Sequence, residues 1–393
     1  MHRLAFIVDP MSERGTSVST FDFADFAEVE LGLPPPLILW RNNSSFRESA
    51  LQVYEKRFGR NRVRQISSFQ GGKPDSPLER MLREEKITGL YHQKSGSGSN
   101  DGAYSNSPAV RHLPHLVFDG KKQWTHAAHG GGTAAALISR NVPVLPTCKL
   151  PVVPLIVRPM PLHGPDLRAE LDIPPNAVVF GRHGGRTTFN IKGTRQVVME
   201  VALAHPHIYF VFMNTAGYDK LNQSNIKHVA QTSDRERKAA FIRTCDAMLH
   251  ARQQGETFGL SVAEFSVMNK PVITSPPTAF KRSSKSSDTQ GKATAHIQIL
   301  GNRALVYRSG AQLRDYLVKF DREAMAKRDW NAYRSYQPAQ VMRAFRCVFL
   351  GRGERECPAY AFDQHEVATI TLVDTSCTCA RTTNASWTPQ PSK

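Results

Sequence analysis

Residues 247 to 274 read Ala247-Met-Leu-His-Ala-Arg-Gln-Gln-Gly255-Glu-Thr-Phe-Gly259-Leu-Ser-Val-Ala-Glu264-Phe-Ser-Val-Met-Asn-Lys270-Pro-Val-Ile-Thr274. An apolar strand, Ala247 to His250, runs into a polar loop with a glycine. A mostly apolar helical stretch follows over Phe258 to Met268, and a β-branched strand over Val272 to Thr274. This strand, loop, helix, strand order is the repeating unit of a parallel sheet, and its loop opens at the carboxyl edge where ligands bind. The helix start leaves backbone N–H groups without intrahelical partners, so Thr257, Phe258, Gly259, Leu260 and Ser261 can cradle a diphosphate. Glu256 stands just ahead of the helix and Glu264 about one and a half turns inside it, so both carboxylates can face one ligand.

Outward from this unit the same alternation runs from the N-terminus to about residue 350, which sets the class as α/β with parallel sheets. In the first half the expected strands are Leu4 to Val8, Leu37 to Trp40, Ile87 to Tyr91 and Leu116 to Phe118, with helices over Ser19 to Leu31, Phe46 to Phe58 and Pro77 to Glu85. Asn141 to Pro161 holds six prolines among apolar residues, cannot be one helix, and marks the crossover between halves. The second half is expected to open with a short helix at Asp166 to Leu171. Strands at Ala177 to Phe180, Ile208 to Met213 and Ala304 to Tyr307 follow, with helices at Thr194 to Ala204, Arg235 to Thr244, Gln312 to Phe320, Arg322 to Trp330 and Ala339 to Phe349. The expected domains are therefore 1–150, 151–350 and a C-terminal appendage, 351–393, that shows no dependable period. The last helix is expected to pack back on the first domain. Residues 281–293 are a polar low-complexity insertion.

At 393 residues the chain is about twice the common single-domain length, enough for two ordinary cores. No run of about 18 apolar residues is present to span a bilayer, and an acidic residue as early as Asp9 argues against a secretory leader. The expectation is a soluble cytoplasmic protein, peripheral to a membrane at most. Six cysteines without a Cys-x-x-Cys pair are expected to be free thiols, and no metal site is expected. A net charge of +17 calls for an anionic partner. The basic run Lys56, Arg57, Arg60, Arg62 and Arg64 offers peripheral contact with an anionic membrane. No aromatic interleaving or nucleic-acid signature accompanies it, so nucleic acid is not the expected partner.

The segment Gly-Glu-x-Phe-Gly-Leu-x-x-x-Glu, with seven residues between its glutamates, resembles the donor-site motif of retaining glycosyltransferases of the group 1 class, family 4, which have the GT-B fold. That resemblance implies two Rossmann-like doubly wound domains facing across a cleft, and a nucleotide sugar, UDP- or GDP-linked, as donor. It gives Glu256 the reaction centre beside the transferred sugar and Glu264 the ribose hydroxyls. Earlier, Val178-Val-Phe-Gly-Arg182-His-Gly-Gly-Arg186-Thr-Thr-Phe-Asn-Ile-Lys192-Gly resembles the family's strand-end Gly-Arg followed by a lysine, which holds the donor diphosphate. Arg182 fits that place. The gap to Lys192 is longer than usual, and Arg186 is the alternative. Gly15 and Thr16 resemble the glycine loop after strand one that approaches the donor phosphates. A cleft histidine from the first half is assigned to His126, with His129 as the other candidate.

The function implied is transfer of a sugar with retention to a hydroxyl of a glycan, lipid-linked or protein acceptor. A phosphorylase or sugar-phosphate synthase on the same fold is the nearest alternative. From other classes, a non-catalytic nucleotide-sugar binder or a basic nucleic-acid-binding α/β protein also satisfies the charge.

Overall fold

The computed structural model describes residues 2–71, 73–94, 105–118, 132–143, 150–217, 223–277 and 293–351. In the first half the elements are β1 (Leu4–Val8), α1 (Gly15–Val29), β2 (Leu37–Trp40), α2 (Glu48–Phe58), β3 (Val63–Gln65), α3 (Pro77–Glu84), β4 (Gly89–Lys94), β5 (Arg111–Leu116) and β6 (Ala136–Leu137). The second half carries β7 (Val178–Arg182), α4 (Lys192–Ala204), β8 (Ile208–Met213), β9 (Ile226–Val229), α5 (Arg235–Thr244), β10 (Ala247–Leu249), β11 (Gly255–Glu256), α6 (Leu260–Val267) and β12 (Val272–Thr274). It closes with β13 (Ala293–Thr294), α7 (Ala295–Leu300), β14 (Ala304–Val306), α8 (Gly310–Val318), α9 (Arg322–Ala326) and α10 (Pro338–Leu350).

The strands form two six-stranded parallel sheets, ordered β3-β2-β1-β4-β5-β6 and β14-β12-β10-β7-β8-β9. Each has the same doubly wound sequence, in which the chain starts at the centre, winds to one edge, then returns to wind to the other. The order reverses between β1 and β4 in one sheet and between β7 and β10 in the other, and such a switch point leaves a crevice at the strands' carboxyl ends. Strands such as Leu37–Trp40 and Val272–Thr274 are buried on both faces because helices cover both sides, which is why they read as continuous apolar runs.

The two halves share one apolar core, which continues from under β1 through Leu150 to Met160 of the crossover and on to Phe258 and Val262. Arg158 of that crossover is held by Asp22 and Asp25 of α1 and lies 4.3 Å over the Phe26 ring. The last helix, α10, lies on α1, where Phe345 stacks on Phe23 with centroids 5.5 Å apart. Arg346 also donates to the Leu31 carbonyl at 3.1 Å. Among the described residues no helix is long and apolar enough to cross a membrane.

Several expectations need correction. Residues 166–171 make turns and one Leu171-to-Leu167 hydrogen bond rather than a helix. The strand expected at Leu116 to Phe118 lies earlier, over Arg111–Leu116, and contains Pro114. The expected helix at Arg322 to Trp330 stops at Ala326, and Trp330 turns inward, fully buried, with its indole N–H on the Met325 carbonyl. Within the basic run Arg57 pairs with Asp25 and Glu28 and Arg62 with Glu85, while Lys56, Arg60 and Arg64 are exposed. Cys245 is a buried free thiol, but Cys347 is disulfide-bonded, against the expectation of free thiols throughout.

Candidate functional site

The two switch points face one cleft of about 900 Å³. Its first-half wall is the β1–α1 loop from Asp9 to Thr16 and the approach to α2. The second-half wall is the Gly-rich loop after β7, Arg182 to Thr188, with His250 to Ser261, Lys238 and Glu264. The walls meet at the start of α6. A side-chain carbon built on Gly15 would lie 3.9 Å from Leu260, and the Ser139 hydroxyl donates to the Thr257 carbonyl.

Glu256 sits at the end of β11, whose pairing with β13 fixes the loop before α6. One carboxylate oxygen is 2.7 Å from Arg252 and the other 3.4 Å from Nε2 of His250. Burial by itself would raise this carboxyl, but the His250 hydrogen bond and the Arg252 charge outweigh it and hold it at about 2. Behind Glu256 runs a polar chain. His250 Nδ1 is 2.9 Å from the Thr274 hydroxyl, which is 3.1 Å from Nε2 of His296. The direction that satisfies it has His250 Nε2–H donating to Glu256, Thr274 donating to His250 Nδ1, and His296 Nε2–H donating to Thr274. Burial depresses His296 to about 3, so it is neutral and suits that role.

Glu264 faces the same cleft from inside α6. It lies 2.9 Å from Lys238 of α5, and its second oxygen lies 3.0 Å from His183 Nε2, off the line of a hydrogen bond. Burial raises this carboxyl too, yet the Lys238 and His183 charges bring it to about 2. Lys238 is raised in turn, because the Glu264 charge outweighs its burial. Burial lowers His183, whose ring stacks on Phe265 at 5.6 Å.

The remaining expected residues divide. Gly15, Thr16, Thr257, Gly259, Leu260 and Ser261 line the cleft, and Gly259 takes φ +87° at the N-cap of α6, a left-handed conformation that glycine adopts without penalty. Phe258 also borders the cleft, but its ring is buried against Tyr333 and Tyr336 and acts as core. Arg182 is buried, and its guanidinium binds its own loop at Gly185 O (2.9 Å) and Thr188 Oγ1 (2.6 Å), and Thr215 Oγ1 in the segment after β8. It shapes the Gly-rich loop as well as bordering the cleft. Lys192 opens α4 as an exposed residue and is not among those lining the cleft, whereas Arg186 is. His126 and His129 lie outside the described residues.

Four residues in direct contact with the glutamates carried no assignment from sequence: His183, Lys238, His250 and Arg252. His250 was legible as the polar residue ending an apolar strand at the carboxyl edge. Lys238, inside Arg235-Glu-Arg-Lys, has the composition of any solvated helix face, so only the fold brings it to Glu264.

No family model matches the sequence, and no curated protein matches it by sequence. Solved structures do match its fold. Anabaena HepE, described in complex with UDP and glucose, superposes with a TM-score of 0.57 at 11% identity, over 88% of this chain and 98% of that one. A glycosyltransferase from Rickettsia africae gives 0.55 at 12%, covering 88% and 97%. WaaG, a glycosyltransferase involved in lipopolysaccharide biosynthesis, gives 0.50 at 12%, covering 88% and 100%. At these identities the likeness is one of fold. The chain has the GT-B fold of these glycosyltransferases, two six-stranded Rossmann-like sheets on either side of a cleft.

Proposed function

We propose that the chain is a retaining glycosyltransferase that moves a sugar from a nucleotide-sugar donor to an acceptor hydroxyl. The observation that carries this reading is that Glu256 and Glu264, both ionised, line one cleft on either side of the α6 start. In this reading Glu264 accepts hydrogen bonds from the vicinal ribose hydroxyls, which suit a carboxylate bidentately. The backbone N–H groups of Gly259 to Ser261 and the Arg186 guanidinium take the diphosphate, with Arg182 holding the loop that presents Arg186. Glu256 faces the anomeric carbon, where its fixed negative charge favours an oxocarbenium-like transition state.

Retention follows from attack on the face from which the diphosphate departs. The acceptor oxygen bonds to the anomeric carbon as the carbon–oxygen bond to the diphosphate breaks, and a departing phosphate oxygen takes the acceptor's proton. The fold neighbour described with UDP and glucose makes UDP-sugars the first donors to try, with GDP-sugars next.

The test is a panel of nucleotide sugars scored by thermal shift and nucleotide release, with Glu256→Gln, Glu264→Ala and Arg182→Ala in parallel. One donor is expected to stabilise the wild type. Glu256→Gln should retain binding and lose turnover, while Glu264→Ala should lose binding. If no donor binds, or the three variants behave as wild type with the best donor, the reading is wrong.

A further inference from the structure

The switch point of the first sheet lies between β1 and β4, and Gln93 stands there near the carboxyl end of β4. It is half-buried and lines the cleft. Behind it runs a chain of polar groups. Gln93 Nε2 lies 3.3 Å from the Tyr91 hydroxyl, that hydroxyl 2.8 Å from His115 Nδ1, and His115 Nε2 2.7 Å from the Val153 carbonyl of the crossover. On the other side, Gln93 Oε1 lies 2.8 Å from the Ser19 hydroxyl of α1. Ser19, Tyr91 and His115 are fully buried.

These hydrogen bonds run in one direction only. The Val153 carbonyl can only accept, so His115 carries its proton on Nε2. Burial holds His115 at about 4, so the ring is neutral and its Nδ1 accepts from the Tyr91 hydroxyl. The Tyr91 oxygen in turn accepts from Gln93 Nε2–H. That decides which end of the amide is nitrogen and turns Oε1 toward Ser19, whose other acceptor, the Thr16 carbonyl, is farther away at 3.1 Å. One Nε2–H and one Oε1 lone pair serve this chain, and an amide carries one more of each.

A buried polar chain is an expensive way to join β4, β5 and the crossover, since apolar side chains of the same shape hold such elements equally well. What it adds is a glutamine with a single amide orientation at the cleft. A donor and an acceptor side by side match two neighbouring hydroxyls, one accepting and the other donating. Phe118, just beyond β5, lines the same cleft and is 42% exposed, so an apolar face lies on the first-half wall as well.

We propose that Gln93 binds two neighbouring hydroxyls of the acceptor and sets its angle of approach, with Tyr91, His115 and Ser19 as positioning residues that act through it. The word acceptor rests on the glycosyltransferase reading; the diol site rests on the oriented amide.

The experiment follows the side-chain amide signals of the full chain labelled with isotopic nitrogen in glutamine, with the Gln93 pair identified by its absence in Gln93→Met. Glycerol, myo-inositol and glucose are titrated with UDP saturating the donor half, and UDP is titrated alone. At least one polyol should move the Gln93 pair, and UDP alone should leave it in place. Gln93→Met should weaken that polyol about tenfold and Tyr91→Phe about threefold, with UDP affinity within about twofold in both. Tyr91→Phe should also move the Gln93 pair in the unliganded protein, a signature of lost orientation that a loss of stability alone does not produce. If that variant fails to fold, Gln93→Met decides. The proposal is overturned if no polyol moves the Gln93 pair, if UDP alone moves it, or if Gln93→Met binds the polyols as the wild type does. Tyr91→Phe that leaves both signal and affinity unchanged would remove the positioning roles. Should UDP and GDP fail to bind while polyol binding still depends on Gln93, the glycosyltransferase reading falls and the diol site stands.

Discussion

Glu264 and Lys238 come from different helices, 26 residues apart in the chain, and meet at 2.9 Å on the wall of the cleft. Both side chains are about four-fifths buried, at 18% and 19% exposure, so each needs the other. Lys238→Met leaves a carboxylate facing only a poorly directed His183 and is expected to cost about 3 kcal/mol of stability. Adding Glu264→Gln to Lys238→Met removes the stranded charge and should restore much of that loss. Urea unfolding of the two single variants and the double closes the cycle. Additive losses would show that the pair does not interact.

The same carboxylates set an acid limit. Glu256 and Glu264 are held at about 2, against an ordinary value of 4.5. Below pH 4.5 the unfolded chain takes up these protons before the folded one does. The stability they contribute is therefore complete above 4.5 and is lost as pH falls toward 2, by up to about 3 kcal/mol for each group. Glu264→Gln should be less stable than wild type at pH 7, with the two unfolding curves converging as pH drops through that window. Urea midpoints at pH 7, 4.5 and 3 measure this, and a constant difference between the two proteins would contradict the pairing.

In the proposed donor site Arg186, Arg182 and Lys192 are the candidate cations for the diphosphate, and their different surroundings predict different effects. Arg186→Ala removes an exposed guanidinium from the cleft wall and should weaken nucleoside diphosphate binding about tenfold without moving the melting temperature. Lys192→Ala, outside the cleft lining, should bind nucleotide within about twofold of wild type. Arg182→Lys keeps the charge but loses the forked bonds to Gly185, Thr188 and Thr215, so it should lower both melting temperature and nucleotide affinity. Calorimetric titration with UDP and GDP separates the three. A larger effect at Lys192 than at Arg186 would reverse the ranking.

Strands made of β-branched and apolar residues were legible because burial on both faces leaves no alternative composition, and β12 matches its expected span residue for residue. Helix α5 does as well. Strand β5 was not, since Arg111-His-Leu-Pro-His-Leu carries a proline and two histidines. Its burial depends on long-range partners, His115 bonding the Tyr91 hydroxyl at 2.8 Å and the Val153 carbonyl at 2.7 Å. The start of α1 was placed four residues late because Gly15-Thr-Ser-Val reads as loop until packing against the cleft decides otherwise. In the candidate site, the two glutamates were visible as spacing within a strand–loop–helix unit. Lys238 and His183 were invisible as their partners, because no local pattern records which helix will face which loop.

Gly255 precedes Glu256 with φ +69°, and a side-chain carbon there would fall 1.8 Å from the Ala293 carbonyl oxygen. That neighbour is backbone, so it cannot swing aside; the β11–β13 pairing would have to open. Gly255→Ala is therefore expected to cost about 2 kcal/mol or more and to displace Glu256 from His250 and Arg252. A misplacement of about 1 Å at a reacting group lowers turnover on the order of 100-fold, so the loss of rate should far exceed any loss of nucleotide affinity. Gly301 is the control: it also has positive φ, +53°, but nothing lies within 4 Å of its added carbon. Gly301→Ala should cost about 1 kcal/mol from backbone strain alone and leave turnover unchanged. Paired unfolding and single-turnover measurements on the two variants distinguish a general strain effect from one transmitted through Glu256. If both variants lose turnover in proportion to their loss of stability, the placement of Glu256 is not what limits the rate.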